Sequence, residues 1–225
     1  MSTKPSSLFA KGIVWGAAVS AAYYFLVRPR ILSWGASEDE ALSEYSGDAR
    51  IPAPAMKTTR AITIQAEPGK IWAWLIQLGQ GRGGFYSYDW LENLLGMNIH
   101  NVNAIDPELQ KLDVGDEVPF WQGVGLKVLA CQAPHLLVLG GSLYRDGFQE
   151  VDISKTADAS MGGLWIFAIE PLPGGDSRLI VRSVVARFEP AWLCRLILLL
   201  LEPAHFIMER KMMLELKERA ENRHH

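Results

Sequence analysis

His205 and Glu209 stand one helical turn apart and have the types to work as a pair. Side chains at i and i+4 share one face of a helix. An imidazole with a pKa of about 6.5 can take or give a proton near neutrality, and a carboxylate one turn on can orient it. On that reading His205 is a polar handle or acid/base group, and Glu209 its orienting partner. The plainer alternative is a buried His–Glu hydrogen bond. A metal site made with His100 is weaker: His100 lies on a distant loop, and the second histidine of an HExxH motif is missing. No metal and no cofactor are expected.

A second group of candidates lies between residues 80 and 106. Gln80 to Gly84 is glycine-rich but matches neither the dinucleotide fingerprint nor a P-loop, since no Lys-Ser/Thr pair follows. It reads as a tight turn that lets backbone approach closely. Arg82 is the exception, with room to meet an anionic headgroup at a cavity mouth. Phe85, Tyr86, Tyr88 and Trp90 form an aromatic cluster. Trp90, spaced with Leu94, reads as core. Tyr86 and Tyr88 carry hydroxyls that need partners if buried, which suits a cavity wall with a few polar groups. Asp89, Glu92 and Asp106 are carboxylates in the same region, and helix-dipole effects explain Asp89 and an exposed Glu92. Arg182 stands mid-strand among apolar residues, either paired with a carboxylate inside or lying on the outer face. There is no Ser–His–Asp order and no Cys–His signature.

The elements that position these residues are legible from periodicity and punctuation. Thr58 to Ile64 alternates and is rich in Thr and Ile, which predicts a first strand. Pro68 opens a helix in which Ile71, Trp74, Leu75 and Leu78 recur at i, i+3, i+4 and i+7, and Gly79 closes it. A second short helix is expected over Tyr88 to Leu95, with Trp90, Leu91, Leu94 and Leu95 inward. Short strands follow at 114–121, 126–132, 136–139 and 148–153, then longer ones at 163–170 and 178–188. Pro171 to Asp176 between the last two reads as a hairpin turn. Leu164 to Ile169 is apolar on both faces, so both should be covered. Trp192 to Leu201 predicts a hydrophobic helix, lying on the bilayer surface or packed on the sheet. Pro203 should start a new segment or a kink, and Ala204 to Glu221 continues as a long amphipathic helix.

At the other end, Leu8 to Val27 is a largely apolar run of 20 residues with one charge, Lys11. As a helix it spans about 30 Å, the thickness of a bilayer's hydrocarbon core. Trp15, Tyr23 and Tyr24 suit the two interfaces. A signal peptide is the rival, but Arg28-Pro29-Arg30 is a poor place to cut. The expected organisation is a transmembrane anchor over 1–30, a connector over 31–57 and a domain over 58–221. In the connector, Ser37 before Glu38, Asp39 and Glu40 has the pattern of a capping box. Lys4 and Lys11 on one side and Arg28 and Arg30 on the other nearly balance the positive-inside rule. With only Cys131 and Cys194 there is no disulfide framework. The expected location is a single-pass inner-membrane protein with its domain in the cytoplasm. The formal net charge is −3, and without the four flanking basic residues the body has 18 basic against 25 acidic residues. An acidic body excludes nucleic acid as the main partner.

Strand, two short helices, antiparallel strands and a long C-terminal helix is the helix-grip order. Over roughly Arg28 to Glu221 the chain resembles the START-like (SRPBCC) superfamily of polyketide cyclases, pathogenesis-related allergens and lipid-transfer domains. The resemblance is most specific at Arg28-Pro29-Arg30 with Trp34-Gly35-Ala36, at Gln77 to Asn93, and at Glu202 to Met212. It implies an α+β, helix-grip (START-like) fold, with a curved antiparallel sheet around a long C-terminal helix and an apolar cavity between them. The ligand-contact set that follows is Arg82, Tyr86, Tyr88, Trp90, His100, Trp165, Arg182, His205 and Met208. The implied function is membrane-anchored binding or transfer of a hydrophobic small molecule, lipid-like or polyaromatic. The alternatives are a cyclase- or aromatase-type enzyme using His205, Tyr86 or Tyr88, and an accessory subunit of a membrane-protein complex.

Overall fold

The computed structural model describes residues 14–16, 18, 21–94, 96–121, 124–144, 147–148 and 161–222. Much of the expected anchor, and most of the strand expected over 148–153, lie outside them. A wide π-helical turn at Tyr23–Val27 leads into a short helix, α1 (Arg28–Leu32). Next come α2 (Glu38–Leu42), β1 (Met56–Ile64), α3 (Pro68–Leu75) and α4 (Asp89–Leu94). The strands β2 (Glu117–Trp121), β3 (Val124–Gln132), β4 (Leu136–Tyr144), β5 (Gly147–Phe148), β6 (Met161–Pro171) and β7 (Ser177–Val185) follow. The helix α5 (Ala191–Ala220) ends the fold.

All strand pairs are antiparallel, in the order β1-β7-β6-β4-β3-β2, with β5 beside β4. One face of this sheet packs on α5, so the architecture is the α+β helix grip. Ile64, Leu137, Phe167, Leu179 and Val181 meet Met212, Met213 and Leu216 in the main core. On the opposite face Val138, Leu164, Ile166 and Val184 pack with Ile51 and Tyr45 of the segment between α1 and β1. That second cover explains why Leu164 to Ile169 has no polar face: both sides of β6 lose water.

The outer cover is fixed by charge. Ser37 and Glu40 form both bonds of a capping box at α2. Arg178 holds Glu40 from β7, with Nε 2.7 Å from Oε1, and this partner keeps the Glu40 carboxyl below its ordinary range. Arg182, fully buried on the same face, pairs with Asp48 and donates to the carbonyls of Glu40, Ala41 and Ser43.

Two expectations are corrected. Trp90 and Leu94 share a face of α4, but it is the outward one: they are 65% and 75% exposed, while Glu92 is 4% exposed. The short helix seats itself through Glu92 and half-buried Leu91, and i, i+4 spacing does not say which side faces in. Of the two outcomes expected at Pro203, the new segment is the one overturned, because the C-terminal helix continues from Ala191 to Ala220 with Pro203 inside it. The missing N–H leaves the Leu199 carbonyl without its helical donor, yet the turns on both sides are held. Cys194 and Leu198 pack on Met56 and Phe188, and Glu202 is gripped by Arg28.

Candidate functional site

A buried polar cluster sits between the sheet and the middle of α5. The inward stripe of α5 is apolar at Cys194 and Leu198, polar at Glu202, His205 and Glu209, and apolar again from Met212. Each acid in the polar stretch receives an arginine from elsewhere in the chain. Glu202 takes a two-point fork from Arg28, at 2.7 and 2.6 Å. Glu209 takes Arg60 of β1, and both residues are buried. A buried carboxylate needs such pairing and further donors. Glu209 Oε1 also accepts from the Trp165 indole at 3.0 Å and the Ser183 hydroxyl at 2.8 Å.

Arg60 ties this cluster to the N-terminal region. Its Nε donates to the Ile31 carbonyl at 2.8 Å. Its Nη2 is buried without a hydrogen-bond partner, but the Phe206 ring lies 5.3 Å from the guanidinium carbon, a cation–π contact that offsets part of the loss. Arg60 Nη1 lies 3.1 Å from His205 Nδ1. A guanidinium can only donate, so Nδ1 is the acceptor and the ring proton sits on Nε2. That nitrogen faces Glu209 Oε1 at 3.5 Å. Burial first, then the Arg60 charge, push the His205 pKa down, against Glu209 and Glu202, which push it up. His205 is therefore held neutral.

Beside the cluster the sheet loses its side chains. Trp165 and Ser183 face α5, since both bond Glu209; residues two positions along a strand share a face. Gly163 on β6 therefore faces α5, and so does its neighbour on β4, Gly141, directly opposite it. One row of the helix-facing surface thus runs from Val185 across two positions without side chains, Gly163 and Gly141. Half-buried Trp165, Leu126 and Phe120 border this stretch. Phe85 joins them, its ring 5.4 Å from Phe120 and 6.2 Å from Trp165. Met208 is close by, its carbonyl accepting from the Ser87 hydroxyl at 3.1 Å.

The other expected contact residues are placed elsewhere. Arg82 is a loop staple: it donates to the carbonyls of Leu78, Ile76 and Leu109. Tyr86, fully buried at φ 52°, accepts from Gln77 and donates to the Trp74 carbonyl, and burial pushes its pKa up to about 12. Tyr88 is half-buried with Lys211 Nζ 5.8 Å from its ring. His100 and Trp90 are exposed. Arg182 lies on the face away from α5. Among the described residues no group of His, Cys, Asp and Glu could hold a metal ion.

No family model matches the chain, and no curated protein does. Solved structures resemble it in outline. Protein MLL2253 from Mesorhizobium loti is 17% identical, over 75% of this chain and all of that one, with a TM-score of 0.40. A hypothetical protein from Helicobacter pylori, jhp0584, is 10% identical over 79% of this chain and 96% of its own, with a TM-score of 0.47. The di-domain ARO/CYC StfQ of the steffimycin biosynthetic pathway is 10% identical over 74% of this chain and 51% of its own, with a TM-score of 0.41. None of these likenesses says what the site does.

Arg60, Ser183 and the glycine row carry only a faint signal in the sequence. Arg60 shares its strand face with Ile62 and Ile64, and a charge on an apolar face signals a buried counter-charge. The doublets Gly140-Gly141 and Gly162-Gly163 mark strands stripped of side chains.

Proposed function

We propose that this chain is a membrane-surface, START-like protein that holds a hydrophobic small molecule, lipid-like or polyaromatic, between its sheet and α5. The glycine row Gly141–Gly163 beside Trp165 carries this reading. It offers backbone without side chains, flanked by aromatic rings, and a flat or flexible apolar body fits such a floor. Burying each CH₂ contributes about 0.8 kcal/mol, so few polar contacts are required. Glu209 holds the indole edge of Trp165, which fixes the ring as one wall. The apolar run Leu8 to Val27 anchors the domain to the bilayer from which the ligand comes.

The test is extraction of full-length protein purified in detergent, with mass spectrometry of the organic phase. A co-purifying apolar molecule is expected from the wild type, and its loss from the Gly141→Leu variant. An empty extract, together with no uptake of a fluorescent fatty acid or a polyaromatic dye, overturns the reading.

The acid–base alternative needs His205, Tyr86 and Tyr88 in one pocket. Tyr86 instead packs on Arg219 of α5, with the guanidinium carbon 4.9 Å from its ring. Arg219 follows His205 by fourteen residues, about 21 Å along the helix axis. No observation favours acid–base catalysis by this set.

A further inference from the structure

Two apolar helical surfaces leave the domain at the same point. Arg28 meets Glu202, the Ile31 carbonyl meets Arg60 beside Glu209, and Trp34 meets Phe206 and Arg210 at 6.3 and 5.0 Å. These contacts advance together along both segments. α1 and α5 therefore run parallel there, and what precedes Arg28 lies on the same side as what precedes Glu202.

Both upstream stretches are apolar and, among the described residues, expose large apolar side chains on their outward sides. Trp15 and Phe25 are 72% and 71% exposed. On α5, Cys194 and Leu198 face the sheet, but Trp192 and Leu200 are 66% and 68% exposed, and Leu196, Leu199 and Leu201 are also exposed. Isolated surface leucines are ordinary; five large apolar side chains within three turns form a patch of the kind that meets a membrane or a partner. The charge pattern selects the membrane. Arg195 is the one charged residue from Ala191 to Leu201, exposed and long enough to reach headgroups from an embedded stem. A cleft of about 110 Å³ opens at the start of this stretch, over Phe188 and Cys194, with Arg187, Arg195 and Glu189 in its wall.

Building on the proposed bilayer anchor, we infer that the first three turns of α5, Ala191 to Leu201, are a second membrane contact. They lie in the interface of the bilayer that the N-terminal helix enters, with Trp192 at headgroup level and Arg195 toward anionic lipid. By length and composition α5 is able to cross a membrane. It does not do so here, because Met212, Met213 and Leu216 are locked in the sheet core. Ala191 to Leu201 reach about 16 Å, half the hydrocarbon thickness. An apolar face of that length lies along the surface.

The test uses the full chain in vesicles of phosphatidylcholine and phosphatidylglycerol, three to one. Spin labels are placed singly through Leu200→Cys, Phe25→Cys and Glu218→Cys, in a Cys131→Ser background that leaves only buried Cys194. Collision with oxygen and with a water-soluble nickel chelate is then compared. Oxygen is expected to be favoured several-fold more at position 200 than at position 218, which is exposed at the gripped end. A water-like reading at 200 overturns the inference, and so does closure to both reagents, which marks a protein partner or a second copy. Position 25 reports on the anchor separately. Lipid at 25 with water at 200 defeats only this inference. Water at 25 with lipid at 200 defeats only the anchor.

Discussion

Arg28 and Glu202 stand 174 residues apart and meet through two parallel hydrogen bonds, Nε to Oε2 at 2.7 Å and Nη2 to Oε1 at 2.6 Å. The Glu202 side chain is 2% exposed and that of Arg28 25%. Cutting the pair from one side strands a buried carboxylate. Arg28→Ala is expected to lose about 3 kcal/mol of stability. Arg28→Met with Glu202→Leu should recover most of it, since apolar residues of similar volume remove the unpaired charge as well. Urea denaturation of both variants measures this. Equal losses would show that the fork itself, and not the stranded charge, sets the cost.

Arg60 and Ser183 both serve Glu209, and their removal should be unequal. Ser183→Ala deletes one bond to a charged acceptor, a loss of about 1.5–3 kcal/mol. Arg60→Met leaves Glu209 buried without its counter-charge and is expected to lose about 3–5 kcal/mol. Unfolding midpoints at unchanged m values give the comparison. The reverse order would mean that the Arg60 charge is not what secures Glu209 in its buried seat.

Glu92 imposes a pH dependence of known sign. Burial, with Asp89 adding, raises its pKa from 4.5 to about 7. The unfolded chain releases this proton near 4.5 and the folded chain near 7, so the folded state holds the extra proton between them. Stability therefore falls as pH rises through that window, and the full cost stands above it. Glu92→Gln should flatten the slope and exceed the wild type in alkali by on the order of 2–3 kcal/mol. Denaturation midpoints across pH decide it.

His205 tilts the other way. Its folded pKa lies below the ordinary value of 6.5, so the unfolded chain binds the proton first as pH falls. The stability that neutral His205 contributes is present above 6.5 and is lost on acidification toward the folded pKa. His205→Gln is expected to remove this acid limb while leaving the Glu92 slope intact. An unchanged acid limb would mean that the ring is free to protonate in place.

Trp90 and Leu94 should be nearly silent. At their exposure, Trp90→Ser and Leu94→Ser are expected to change stability by no more than about 0.5 kcal/mol. A buried tryptophan truncated in this way loses about 3–5 kcal/mol, so thermal unfolding separates the two placements of α4.

Periodicity revealed the elements more readily than their surroundings. The Thr58–Ile64 strand, the Pro68 helix, the Ser37–Glu40 cap and the apolar β6 were readable because each depends on neighbours in sequence. His205 and Glu209 were readable as a pair for the same reason, being one turn apart. Their partners were not. Arg60, Trp165 and Ser183 reach Glu209 from three different strands, and only the register of the sheet brings them level. Trp90 shows the limit of spacing alone: i, i+4 defines a face, and the docking of α4 through Glu92 decides which way it turns. Arg182 has the same lesson in reverse, since a mid-strand arginine proved to serve the outer cover.

Pro203 falls between the part of α5 that packs on Phe188 and the part gripped by the sheet core. With the rung from residue 203 to Leu199 missing, the long helix behaves as two rods in series joined by a softer link. The forward rod is seated on Met56 and Phe188 through Cys194 and Leu198, while the rear rod keeps Glu209 and Trp165 in place. A displacement of either seat is thereby taken up at the link before it passes to the other.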